Sequence, residues 1–445
     1  MLLLLPQSSL AQATLALPEA VEANVQARLA TGDYPGLVVG LIDPSGTQVY
    51  GYGSLSAQQP QTPDAATVYE IGSVTKVFTA LLLADAAERG VVRLDDPVAQ
   101  YLPGDVQMPG GEAITLAHLA DHTSGLPRLP ANLQPADMAN PYADYTTDQL
   151  YAFLSSYTLP REPGASYEYS NLGMGLLGHV LAQQAGMSYE ALVAERIGVP
   201  LGLEATAITL SDEAQSRLAP GHNGGRMVPN WDLPTLAGAG AIRSTAADML
   251  RFLGLYMALQ ETPLASAMDQ TTVPRAEASL MDGDSLTIAL GWHSRATESR
   301  RLVWHNGGTG GYRSFIGFDP VAQRGVVVLT NTTEGADDIG FHLLDPAIPL
   351  ETPRPTVAVE AETLASYVGT YQIAPAFAIV ITEENGRLYG QATNQPVFAL
   401  YPSSPTRFFL KAANAEVEFT TDEAGAVTGL TLFQGGQEIP GEKTE

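Results

Sequence analysis

The 445-residue chain has no cysteine and only three lysines, Lys76, Lys411 and Lys443. The first absence removes disulfides, thiol nucleophiles and cysteine-ligated zinc together. It suits an oxidising compartment without requiring one. Basic residues are scarce as a class, 22 against 48 acidic, which gives a formal charge of −26. That sign repels phosphate backbones and anionic lipid, so nucleic acid and membrane surfaces are poor partners. An anionic substrate would need a local cationic pocket. Long apolar runs are missing as well: "VFTALLLA" falls far short of the roughly 18 residues that cross a bilayer, so no membrane span is expected. What is present, 45% hydrophobic and 16% charged residues, is the composition of a large folded core.

This length suggests two or three domains at about 150 residues each. Leu2 to Leu5 followed by Ala11-Gln12-Ala13 resembles the end of a secretory signal without its basic n-region. Residues 1–17 are therefore read as a possible signal remnant or disordered N-terminus, and the protein as exported, periplasmic or secreted. Residues 18–31 read as a helix. "GLVVGLID" (36–43) and "TQVYGYGS" (47–54) read as strands around the turn Pro44-Ser45-Gly46. After a helix at 73–89, helices alternate with Gly/Pro-rich loops to about residue 290. "RLVWHNGG" (301–308), "RSFIGFDP" (313–320) and "RGVVVLTN" (324–331) return to strand character, and 335–344 closes as a helix. Strands at both ends of 18–345 with a mostly helical insertion between them predict an α/β (α+β) domain whose terminal segments share an antiparallel sheet flanked by helices. Pro346, Pro349, Pro353 and Pro355 mark a stiff linker, 346–359. Six short alternating strands beyond it, from "FAIVITEE" to "VTGLTLFQ", predict a small all-β barrel or sandwich over 360–445.

The placement of Lys76 is the main clue to chemistry. It stands three residues after Ser73 where an apolar helix begins, and helical spacing puts i and i+3 on one face. A serine hydroxyl is a weak nucleophile that needs an adjacent base. A buried lysine can serve, because desolvation lowers its pKa toward neutrality. Neither of the other lysines has a serine three residues before it. Tyr169-Ser170-Asn171 stands just before a second helix. A phenol of lowered pKa there could shuttle protons between nucleophile and leaving group. The Asn171 amide could hold the lysine amine and a substrate carbonyl at once. In "WHNGGTGGYRS" (304–314) the glycines let a substrate backbone lie alongside a strand. The N–H of Gly308 is then the natural second oxyanion donor beside that of Ser73.

The ordered set S-V-T-K, Y-S-N and H-N-G resembles the three motifs of serine β-lactamases and penicillin-binding proteins. Its flavour is that of class C β-lactamases, D-alanyl-D-alanine carboxypeptidases and related esterases, over about residues 20–345. The tail is similar to a small β-domain often appended to such proteins. The resemblance implies a β-lactamase/transpeptidase-like fold, Ser73 as the acylated nucleophile, Lys76 as its activating partner and Tyr169 as proton shuttle. It also implies that Asn171 orients substrate and that His305-Asn306-Gly307 lines the third side. The β-lactamase pattern usually has lysine where His305 stands, whereas some carboxypeptidases of the group carry histidine; a histidine of normal pKa is mostly neutral at pH 7 and holds a substrate carboxylate less strongly. Arg313, on the following strand, is a candidate for the missing cation, with a plain surface arginine as the alternative reading.

Other residues read as structural. His118 and His122 lack the H-E-x-x-H pattern and a third zinc ligand. The glycine pairs 307–308 and 310–311 lack G-K-[ST]. Asp95-Asp96 and Asp248 look like helix-start residues, the latter capped by Ser244 or Thr245. The implied activity is that of a serine hydrolase working through an acyl-enzyme with no metal and no cofactor. D-Ala-D-Ala peptides or β-lactams are the implied substrates, small carboxylic esters are the alternative, and a catalytically silent peptide-binding sensor is a third reading. Nothing in the sequence specifies an oligomer.

Overall fold

"GLVVGLID" and "RGVVVLT" hold too few polar residues for strands with one wet face, and the structure buries both faces of each. The computed structural model describes residues 15–109, 111–279, 285–297, 300–393, 395, 397–411 and 414–444. The signal-like pattern within residues 1–14 lies outside them. The strands of the first part are β1 (Gly36–Asp43), β2 (Gly46–Gly53), β3 (Val68–Glu70), β4 (Gly221–Asn223), β5 (Arg226–Val228) and β6 (Arg243–Thr245). They continue as β7 (Ala276–Ser279), β8 (Ser285–Ile288), β9 (His293–Ala296), β10 (Arg301–Gly308), β11 (Arg313–Asp319) and β12 (Arg324–Thr330).

Eight of these form one antiparallel sheet in the order β2-β1-β12-β11-β10-β9-β8-β7. The N-terminal hairpin therefore pairs with a strand almost 300 residues later, Leu37 opposite Thr330. Side chains alternate across a strand, so Val38, Ile42, Val327 and Leu329 join the core on the side of the helices Thr75–Glu88 and Ala246–Tyr256. Leu37, Val39, Leu41, Val326 and Val328 face the other way, toward the helices Glu19–Ala30 and Asp337–Leu344. The expected antiparallel sheet flanked by helices is what the chain builds. The helix Thr75–Glu88 is buried from Thr75 to Ala86. A helix that is apolar all round belongs inside a protein, and this one carries Lys76 into the core.

The tail closes into an eight-stranded barrel: β13 (Gly369–Ala374), β14 (Phe377–Glu384), β15 (Arg387–Ala392), β16 (Val397–Pro402), β17 (Arg407–Phe409), β18 (Ala415–Thr421), β19 (Val427–Gln434) and β20 (Gln437–Lys443). The sequence pattern showed six of these. The two it missed, β13 and β20, are the pair that closes the barrel, Tyr371 opposite Lys443. β20 is polar and holds Pro440 opposite Thr431, a composition that argues against a paired strand. Closure imposes it.

The barrel is fixed to the rest of the chain by charge. Asp33 is fully buried in the turn before β1. Its Oδ1 lies 2.6 Å from Arg387 Nη1, and its other oxygen accepts from Lys411 Nζ. Lys411 also approaches Glu334 at 3.4 Å, and the Tyr389 hydroxyl donates to the Gly224 carbonyl at 2.7 Å. Removing one member of a buried ion cluster strands the others, at a cost of about 3–5 kcal/mol. Here Arg387 and Lys411 keep about a fifth of their side chains in water, so Asp33→Ala is expected to destabilise by roughly 2–3 kcal/mol. Urea unfolding measures it, and a loss below about 0.5 kcal/mol would mean that apolar contacts alone hold the barrel.

Candidate active site

β3 delivers the chain to the site. After Glu70, Ile71 donates its N–H to the Ile242 carbonyl, Gly72 takes φ of 49°, and a 3₁₀ turn (Gly72–Val74) feeds the helix Thr75–Glu88. The helix expected from residue 73 thus starts as a tighter turn with Ser73 in its middle. Lys76 Nζ lies 2.9 Å from Ser73 Oγ and donates to the Ala239 carbonyl at 2.6 Å. Lys76 is fully buried, and no ion pair among the described residues includes it. Burial holds its pKa well below the ordinary 10.5, and the Arg128 charge pushes the same way. An amine in that state has a lone pair for the serine proton.

β10 supplies the opposite wall. Thr309 donates to the Tyr312 carbonyl across the β10–β11 turn. By antiparallel alternation, the Gly308 N–H then points away from β11. On that other side β9 pairs only as far as Trp304 opposite His293, so beyond residue 304 the edge of β10 is open. The turn of Ser73 lies against it. A Cβ on Gly72 would fall 2.7 Å from the Gly308 nitrogen, and one on Gly307 would fall 2.0 Å from the Ile71 carbonyl oxygen. Glycine at both places allows the approach that brings the Gly308 amide beside Ser73.

Tyr169 stands over Lys76, whose Nζ is 4.9 Å from the ring centroid, with its hydroxyl on the side of Ser73. Burial raises its pKa, against the expectation of a lowered one. The phenol therefore keeps its proton and acts as a donor, with no phenolate available at neutral pH. Asn171 opens the helix Asn171–Ala185, and its Oδ1 is buried without a partner at the cavity wall. The cavity is about 480 Å³ and is lined also by Asn306, Gly307, Gly308 and Arg313.

His305 is placed differently from its expectation. It is fully buried and lies behind the cavity wall, stacked on His293 at 4.8 Å between ring centroids. Burial, followed by the neighbouring His293 and Lys76, pushes its pKa well down. It is neutral and does not supply a charge for a substrate carboxylate. Arg313 does line the cavity, but its Nη1 donates to the Thr309 and Tyr312 carbonyls and its charge faces Asp337 and Glu334. Asp337 in turn accepts from Asn306, and burial lifts its pKa to about 6.

Three site residues escaped the sequence reading. Arg128 is exposed, sits 5.0 Å over the Tyr169 ring, and enters no ion pair among those of the described residues. His122, set aside there as structural, has φ of 60° and packs its ring 4.5 Å from Tyr169. His293 lines the cavity with both ring nitrogens buried and unpartnered, and burial pushes its pKa down to about 4. "HTSGLPR" carried a signal, since a basic residue in so acidic a chain invites a question; His293 carried none. Elsewhere His118 shares a capping box with Thr115, Asp95 pairs with Arg93, and Thr245 caps the helix that holds Asp248. Among the described residues no three His, Cys, Asp or Glu side chains are grouped to hold a metal.

The Beta-lactamase family profile matches residues 21–343, and a Domain of unknown function (DUF3471) matches 353–443. Penicillin-binding protein 4* of Bacillus subtilis (strain 168) is 28% identical over 89% of this chain and 91% of its own. The D-alanyl-D-alanine-carboxypeptidase/endopeptidase AmpH of Escherichia coli (strain K12) is 30% identical over 69% of this chain and 84% of its own. In structure, a class C beta lactamase from Rhodobacter sphaeroides superposes with a TM-score of 0.65 at 27% identity, covering 74% of this chain and 99% of that one.

Two pH effects follow from the buried imidazoles. His122, His293 and His305 all have depressed pKa values when folded and titrate near 6.5 when unfolded. Protons therefore bind the unfolded chain first. Stability is complete above about pH 6.5 and falls below it by up to about 1.4 kcal/mol per pH unit per histidine. Denaturation at pH 7 and pH 5 measures this, and His293→Asn should make the slope shallower. The second effect is a missing limb. With His305 neutral, kcat/KM for carboxylate-bearing and neutral substrates should run parallel between about pH 5.5 and 8. A limb near pH 6.5 for the former alone would restore a charged His305.

Proposed function

The chain belongs to the beta-lactamase family of serine hydrolases, and from that premise we propose that it cleaves D-Ala-D-Ala-type peptides or β-lactams through an acyl-enzyme on Ser73. The observation that carries this reading is the fully buried Lys76 amine, 2.9 Å from the serine oxygen and without a counter-ion among the ion pairs of the described residues. Ser73 Oγ attacks the carbonyl carbon and its proton passes to Lys76. The N–H groups of Ser73 and Gly308 stabilise the oxyanion. The leaving group takes the Tyr169 proton, which Lys76 then replaces, and water attacking by the reverse proton path frees the acyl group. Neither step needs a metal or cofactor.

The cation for a substrate carboxylate is Arg128 in this proposal, since it stands over Tyr169 at the leaving-group end with its charge uncommitted. Arg313, partly balanced by Asp337, has a lesser share, and Asn171 Oδ1 accepts a substrate N–H. Export is the compartment that peptidoglycan chemistry requires, and no helix among the described residues is long and apolar enough to cross a membrane. A second reading, carboxylic ester hydrolysis, draws on one observation: His305 is buried and neutral and supplies no charge for a substrate carboxylate. A silent binding module would have no use for the buried base.

Ser73→Ala and Lys76→Ala should each remove nearly all hydrolysis, and the double variant should be little worse, because members of one catalytic unit are not additive. Multiplicative losses would break the assignment. Tyr169→Phe should lower kcat by about 10²-fold or more. A panel of D-Ala-D-Ala peptide, nitrocefin and p-nitrophenyl butyrate separates the two substrate readings. Arg128→Ala should lower kcat/KM for the peptide by about tenfold, the worth of a charge-assisted contact of roughly 1.4 kcal/mol, and change the ester less. Equal losses on both would deny Arg128 its carboxylate.

A further inference from the structure

A second cavity, about 750 Å³, continues from the first. Trp231 lines both, and Gly310, which lines the second, lies so close to it that a Cβ would fall 2.6 Å from Trp231 Nε1. One wall comes from the catalytic part and the other from β15 and β16 of the barrel. Most of the lining surface is apolar, and its large apolar side chains are open to solvent: Met138 is 55% exposed, Met227 57% and Val397 36%. The charges beside it are spoken for. Arg226 pairs with Glu384 and stacks 3.5 Å from the Tyr389 ring centroid, and Asp137 accepts from the Ala139 amide.

The strand β10 gives this cleft a direction. His305 lies at the Tyr169 end, 6.5 Å between ring centroids, Gly308 lies against the turn of Ser73, and two residues later Gly310 meets Trp231. β10 ends at Gly308 and Gly310 lies in the turn just beyond it, so an extended substrate laid along the open edge beside Ser73 runs from the Tyr169 side toward Trp231. The leaving group must sit at the Tyr169 end, where its proton comes from. The acyl group therefore points past Gly310 into the cleft. We propose that the barrel-roofed cleft is an acyl-group subsite and that its ligand is an extended apolar acyl chain, aliphatic or aromatic. This rests on the serine-hydrolase reading above, and it assigns to the barrel a share in substrate selection.

Alkylboronic acids from methyl to octyl, competed against fluorophosphonate labelling of Ser73 in the full-length protein, test it. The boron accepts the Ser73 Oγ lone pair and the hydroxyl proton passes to Lys76, so nothing is expelled and the alkyl chain occupies the acyl position. The inhibition constant should fall by about three- to fourfold for each methylene added until the cleft is filled. Met227→Asp on one wall and Val397→Asp on the other should each flatten that dependence. Val321→Asp, at a site 90% exposed and outside the cleft, should leave it as it was. A constant independent of chain length, or a slope untouched by both cleft variants, overturns the subsite and leaves the hydrolase reading standing. If Ser73 is not labelled and no boronic acid binds, the hydrolase reading itself fails and the subsite with it.

Discussion

The proposed chemistry of this protein depends on keeping one amine dry. Lys76 is held in the core by a helix that is buried along most of its length, and its hydrogen-bond partners are a hydroxyl and a carbonyl. A carboxylate in reach would restore the charge, raise the pKa and end its use as a base. The surroundings conform to that need. Although the chain carries 48 acidic residues, none among the described residues lines the cavity at Ser73. The ionisable neighbours of the amine are three imidazoles kept neutral and a phenol kept protonated, all by burial. The nearest cation, Arg128, lowers the lysine pKa further.

The second constraint is steric. In the proposed mechanism the strand edge that holds the substrate must also lie against the turn bearing Ser73, and the two backbones meet at Gly72, Gly307 and Gly308. Side chains there would push the Gly308 amide away from the serine. The sheet prepares the edge by ending β9 early, so that β10 runs on unpaired past residue 304. A substrate added along that edge gains backbone hydrogen bonds without any rearrangement of the sheet.

The parts of this design that were legible in the sequence are the local ones. Ser73 and Lys76 are neighbours by helical geometry, and the alternating or unbroken apolar runs gave β1, β11 and β12 almost to the residue. What stayed hidden was assembled from distant segments. His122, His293 and His305 come from three separate elements, and no spacing links them. The identity of His305 does not disclose its burial, nor does a tyrosine before a helix disclose that burial raises its pKa. β20 was missed because Gln437 to Lys443 has no apolar pattern of its own; its pairing comes from strands on either side.

The ion cluster at Asp33 has a consequence for how the chain is made. Asp33 and Lys411 are 378 residues apart, so at about 5–20 residues per second the carboxylate waits on the order of twenty seconds to over a minute for its lysine to be synthesised. β1 likewise waits for β12. Until then the N-terminal hairpin presents an unpaired apolar edge, and the turn at Asp33 has no reason to become buried. The C-terminal barrel thus acts as a closing step in biosynthesis: its arrival caps a charge that the nascent chain had to keep in water.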